Sequence, residues 1–143
     1  MSYLTQAQAK QYLGDVYESA YYDDITQLPD DTVLQQDIDT VNGVINAYVK
    51  KAYNFEIVGV ESLNILRGIA QRLLLSRAYE RYDSAEIPEI VTTNADESTY
   101  RLKEISTGKM LLPDSVQAPK GVGFSYSMRG RSTIFDRSSM SGF

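Results

Sequence analysis

Apolar residues recur along most of this chain at spacings of three and four. The clearest run is Val60 to Tyr82, where Leu63, Leu66, Ile69, Ala70, Leu73, Leu74, Arg77 and Ala78 fall on one side of an α-helix. Ile65 and Leu75 widen that arc, so the helix is expected to pack on more than one neighbour, as the centre of a small bundle. Before it, Leu34, Ile38, Val41, Ile45, Tyr48 and Ala52 step by four and three within a helix over Thr32 to Tyr53. Gly43 lies inside that seam, where a glycine costs about 1 kcal/mol against alanine, so a close approach by another backbone is expected there.

Shorter elements flank the two long ones. TQAQAKQYL is predicted to form a first helix with Thr5 as N-cap and Gly14 as left-handed stop, burying Ala9, Tyr12 and Leu13. The stretch that follows, DVYESAYYDDITQLPDD, reads as a connection with one helical turn around Val16 to Tyr21. Its aspartates lack the alternating carboxylates, central glycine and closing glutamate of a calcium loop, so Asp30 or Asp31 is expected to cap the next helix instead. Phe55 and Ile57 alternate in the short link before Val60, which fits a short strand or a packed loop. After the acidic, Pro88-bearing link, a fourth helix is expected from Asn94 to Thr107. Asp96 and Glu97 fall in its first turn, Tyr100, Leu102, Ile105 and the later Leu111 on its apolar side, and Gly108 at its end. The short connection makes the two long helices antiparallel. The fold class is therefore all-α, a bundle of about four helices over residues 1–112.

From 113 to 143 the helical period stops and Ser, Gly, Pro and Arg take over. Val122, Phe124, Tyr126 and Met128 alternate with Gly and Ser, a period of two that fits an extended strand. Ile134, Phe135, Met140 and Phe143 add isolated apolar anchors, and Arg129, Arg131 and Arg137 add charge. Such a composition has no core of its own. It is expected to take shape against a neighbouring subunit or a partner, by strand addition and anchor burial.

Charge sharpens this division. Residues 1–112 hold ten basic and seventeen acidic residues, a net charge of −7, whereas 113–143 hold four basic against two acidic, a net charge of +2. An acidic body repels phosphates, which argues against gripping nucleic acid. The chain contains neither cysteine nor histidine, which removes disulfides, thiolate metal sites and the commonest general acid–base. No carboxylate pair stands in a recognisable catalytic setting, and Gly121, Gly123 and Gly130 open no phosphate loop. We therefore expect no enzyme, no cofactor and no bound metal. Arg67, Arg72, Arg77 and Arg81 on the central helix are expected to form ion pairs rather than a nucleic-acid face. No run of apolar residues is long enough to span a membrane, and the N-terminus lacks a signal-peptide pattern.

Several stretches, read together, resemble one family. YLTQAQAKQYLG resembles its short first helix closing on glycine. VNGVINAYVKKAYNF resembles its signature of an isoleucine, a tyrosine three residues on and a further tyrosine five beyond, here Ile45, Tyr48 and Tyr53. YRLKEISTGKMLL resembles its last helix, and IFDRSSMSGF its ending, here Phe135, Arg137, Gly142 and Phe143. The family is the small head–tail connector, or head-completion adaptor, of Mu-like and related tailed bacteriophages. The resemblance implies a structural virion protein at the neck, made in the host cytoplasm. Copies would form a homo-oligomeric ring on the portal protein, matching its twelve-fold symmetry, extend the DNA channel and present a surface to a downstream neck or tail protein. DNA would pass without specific binding, and no membrane is involved. The partner-binding residues, on the portal or a neighbouring subunit, would be Phe124, Tyr126, Met128, Arg129, Arg131, Ile134, Phe135, Arg137, Met140 and Phe143. The alternative is a helical adaptor or assembly factor absent from the virion, using the same tail as a peptide ligand.

Overall fold

The computed structural model describes residues 2–82 and 86–114. Their elements are α1 (Gln6–Leu13), α2 (Asp15–Ala20), β1 (Tyr22–Asp23), β2 (Leu28–Pro29), α3 (Asp31–Ala52), α4 (Val60–Arg81) and α5 (Glu89–Thr107). The fold is all-α, with five helices because the turn expected near Val16 is a helix of its own. The bundle is built from α3, α4 and α5, which all touch one another, while α1 lies across α3 and α4. Asp37, in the second turn of α3, meets Arg77 and Arg81 in the last turns of α4, so the two long helices run antiparallel as expected.

The core forms where the three-and-four spacing predicts it. Leu34, Ile38, Ile45, Leu66, Leu74, Leu102 and Ile105 are essentially inaccessible to solvent. The amino-terminal residues join it, with Tyr3 and Leu4 both buried. The Tyr3 amide donates to Asn42 Oδ1 (3.1 Å), its hydroxyl donates to Asn46 Oδ1 (2.6 Å), and its carbonyl accepts from Arg67 Nε (3.3 Å). Two asparagines of α3 thus tie the chain's start to the bundle.

Local chemistry accounts for most element ends. Thr5 and Gln8 form a reciprocal capping box at α1, and Asp30 accepts the Thr32 amide at the start of α3 (2.9 Å). Gly108 closes α5 in the left-handed conformation (φ 82°). Gly14 also has positive φ (58°), but its ψ of −128° lies outside the left-handed helical region. That geometry ends α1 and starts α2 at a single residue.

Four expectations are corrected. First, α5 begins at Glu89, five residues before Asn94. The β-branched run Val91–Thr93 depresses helix propensity, but Val91 is buried and Pro88 supplies a preset φ at the cap. Asp96 and Glu97 therefore lie mid-helix, and Glu97 faces Arg101 one turn on (3.8 Å). Second, a Cβ at Gly43 would meet nothing within 4 Å among the described residues. The residue is exposed and marks no close helix approach. Third, Tyr12, Tyr100 and Leu111 are exposed, and the neighbouring Leu112 is buried instead of Leu111. Of the two alternatives for the link before α4, residues 54–59 take the packed loop, with Ile57 buried and Phe55 edge-on to Tyr53. Fourth, the strands occur in the stretch read as a connection with one helical turn. There β1 and β2 form a two-stranded antiparallel hairpin pairing Tyr22 with Pro29 and Asp23 with Leu28.

Candidate functional site

Three places in the described residues carry more polar organisation or more exposed apolar surface than packing requires. The first is a charge cluster between the start of α3 and the end of α4. Asp37 is buried (1% exposed). Arg81 binds it with two nitrogens, Nε at 2.7 Å and Nη2 at 2.9 Å, and Tyr21 donates its hydroxyl at 2.7 Å. Arg77 Nε lies 3.4 Å away. Burial pushes the Asp37 carboxyl up, but the bonds from Arg81 and Tyr21 and the two positive charges outweigh it and hold the group below the ordinary carboxylate range. Burial and the neighbouring carboxylate push the Tyr21 hydroxyl strongly up, so it stays protonated and donating. Two of the four central-helix arginines thus pair as expected, within the chain. Arg67 instead serves Tyr3 and Asn64. An ionised carboxylate saturated by donors has no spare capacity for proton transfer, so this cluster clamps helices rather than working on a substrate.

The second place is the root of the carboxy-terminal segment. Gly59, the N-cap of α4, has no side chain to offer the free amides of the first turn. Asp114 supplies the missing acceptor from far along the chain. Its carboxylate takes the Glu61 amide (2.9 Å), the Ser62 amide (3.0 Å) and the Ser62 hydroxyl. The Ser62 hydroxyl bond leads the interactions that lower the Asp114 pKa; partial desolvation opposes it. A Cβ at position 59 would overlap the Asp114 carboxylate. Close by, the buried Leu112 donates its amide to the Tyr53 hydroxyl (3.0 Å). Leu112 and Asp114 are therefore both held at the α3–α4 corner, one through its backbone amide and the other through its side chain.

The third place is a groove of about 450 Å³ beside that corner. Val49, Tyr53, Phe55 and Ile57 give it apolar walls, and Lys50 and Glu56 stand among its polar residues. Burial, with a smaller contribution from the Glu56 charge, raises the nearby Tyr3 hydroxyl to about 12. At the far end of α3 the hairpin β1–β2 exposes Tyr22, Ile25 and Leu28, with Ile25 at 92%.

Every partner-binding residue expected from the sequence, from Phe124 to Phe143, lies outside the described residues. The groove, the Asp114 cap and the hairpin were all missed in the sequence. Asp114 gave no local signal, because its partners are 52 and 53 residues distant. The hairpin had a weak one, Tyr22 and Leu28 flanking a polar turn. Among the described residues no helix is long and apolar enough to cross a membrane.

The fold and these sites define a small helical bundle with Leu112 and Asp114 fixed at the α3–α4 corner and an exposed apolar hairpin. Comparison with protein-family models, curated proteins and solved structures finds no match.

Proposed function

We propose that this protein is a structural component of a tailed-phage virion, a head–tail connector. Copies form a ring on the portal, extend the DNA channel and offer a surface to the next neck or tail protein. The observation that carries this reading is the meeting of two stretches that resemble the connector family. Tyr53, from the 41–55 stretch, accepts the amide of Leu112, from the 100–112 stretch. Residues far apart in sequence thus meet at one corner of the bundle. The acidic body supports the same reading, since a channel lining must let phosphates slide without holding them. A closed ring needs one patch of each copy to meet a different patch of the next, and the extension with its anchors from Phe124 to Phe143 is the proposed docking element.

Mass spectrometry of purified particles tests this directly: a connector is retained in stoichiometric amount, whereas an assembly factor is absent. Deleting residues 121–143 should leave a folded helical protein that no longer assembles on the portal. Normal assembly of that truncation defeats the docking role of the extension.

A further inference from the structure

The hairpin end of the bundle carries unbalanced negative charge. From Gln11 to Val49 the chain holds eight acidic residues and no basic one. The bases that reach this end from elsewhere are already engaged. Lys10 pairs with Asp31 (2.9 Å), and Arg77 and Arg81 both bind Asp37. Asp23, Asp24 and Asp30 have no basic partner among the described residues. Asp23 and Asp30 accept the backbone amides of Ile25 and Thr32 (both 2.9 Å), contacts that leave their charge uncompensated.

Apolar surface adjoins these carboxylates. Ile25, Leu28 and Tyr22 are 92%, 64% and 51% exposed, a large area for a two-residue ladder. A shallow cleft of about 310 Å³ lies between the hairpin and the start of α3, bordered by Asp23, Thr26, Leu28, Pro29, Asp30 and Asp31. Its form is set in advance. The Asp23 carbonyl accepts the Gln27 amide (2.7 Å), the Tyr21 carbonyl accepts the Asp30 amide (2.7 Å), and Gln27 takes a positive φ (60°) to close the turn. A surface held this way loses little freedom on docking. Carboxylates beside aliphatic walls suit arginine, whose methylene stem lies on apolar surface while its guanidinium meets carboxylate oxygens.

The chain itself contains the complement. Residues 115–143 hold four basic residues and one acidic, a net charge of +3, with Arg129, Arg131 and Arg137 set around Ile134 and Phe135. The same copy is poorly placed to supply them. Leu112 and Asp114 are fixed at the α3–α4 corner, and the hairpin lies at the other end of α3, whose 22 residues rise roughly 33 Å. Running back along that helix would take up about ten extended residues of the fourteen between Asp114 and Arg129, each ordered at an entropic cost.

We propose that residues 129–137 of one copy dock on the hairpin of the next copy. Arg129 and Arg131 meet Asp23, Asp24 and Asp30, while Ile134 and Phe135 cover Ile25 and Leu28. The occupant is this segment of a second copy. Because its root and its receiving surface lie at opposite ends of one helix, the contact is heterologous and propagates head to tail. This rests on the ring reading above and deepens it by naming the surface that receives the extension.

The absence of native cysteine makes the test direct. Thr26→Cys, at an exposed position, and Ser132→Cys are prepared singly in the full chain, mixed at high concentration and oxidised gently. The double variant is oxidised in assembled particles and, separately, in dilute solution. The expected result is a 26-to-132 linkage between copies that exceeds the 26-to-26 and 132-to-132 products, and a ladder of linked copies in particles. Asp24→Lys combined with Asp23→Asn, which keeps an acceptor for the Ile25 amide, should abolish the linkage. Arg129→Glu with Arg131→Glu on the other copy should restore it, and linkage that survives the aspartate changes overturns the proposal. Unchanged melting temperatures confirm that the variants are folded. Particles that contain the protein without a 26-to-132 linkage overturn this contact and leave the connector reading intact. Linkage in concentrated solution by a protein absent from particles supports the contact and defeats the connector reading; no linkage in that case overturns both. A double variant that closes on itself at high dilution, or Ser132→Cys linked to a different particle protein, assigns the segment elsewhere and overturns the proposal.

Discussion

Asp37 shows how much one residue decides here. It is a buried carboxylate on a helix face that otherwise presents Leu34, Ile38 and Val41 to the core. Removing one partner of a fully buried ion pair costs roughly 3–5 kcal/mol. Arg77 and Arg81 are 41% and 40% exposed, so water can reach both guanidinium groups. Asp37→Ala is therefore expected to lower unfolding free energy by about 2–3 kcal/mol, measured by urea titration. The sign of the pH effect follows from the direction of the shift. The folded carboxyl titrates below its ordinary value of 3.8, so its contribution is present above that pH and fades as the pH falls through it toward the folded value. Asp37→Asn lacks this component, and the stability gap between it and the wild type should narrow below about pH 4. A constant gap across that range would show that the carboxylate's charge contributes nothing. Ser98 presents the opposite case, a buried hydroxyl on α5 without a hydrogen-bond partner among the described residues. Ser98→Ala removes a desolvated polar group and improves helix propensity, so it is expected to raise stability by about 1 kcal/mol, read as a higher denaturant midpoint.

At the scale of elements, the start of α4 depends on a residue outside the helix. Gly59 has an ordinary φ of −68°, so alanine there faces no backbone strain. Its Cβ would instead displace the Asp114 carboxylate. Gly59→Ala should therefore reproduce the effect of Asp114→Ala. Both should expose the Glu61 and Ser62 amides to faster hydrogen exchange, and combining them should add little. Exchange that stays slow in either variant would mean the first turn of α4 is protected in another way. The elements also show where sequence patterning holds and where it fails. The long helices α3 and α4 and the caps at Thr5, Asp30 and Gly108 were legible, because each signal lies within a few residues of its effect. The start of α5 was not, since the weak propensity of Val91, Thr92 and Thr93 is overridden by burial of Val91. The hairpin was not, since a two-residue ladder carries almost no periodicity and its turn closes on Gln27 rather than on a glycine.

At the scale of the molecule, one core draws on residues from Tyr3 to Leu112, and Leu112 is fixed to Tyr53 at the α3–α4 corner. Every buried core residue among the described ones lies before residue 121. Far-UV circular dichroism and cooperative melting of the truncated chain should therefore match the full-length protein. A large loss of helicity would mean that the bundle relies on the extension for its fold. Helix periodicity and local caps are short-range properties, and the sequence by itself determined them: an all-α body, its two antiparallel long helices, and an acidic bundle followed by a basic extension without helical period. Only the tertiary structure decided that Asp37 lies between two arginines and a tyrosine, and that Asp114 caps the first turn of α4 from far along the chain. It also decided that a groove and an apolar hairpin occupy opposite ends of α3. These depend on where distant segments arrive once the core has closed, and no local pattern of residues encodes that arrival.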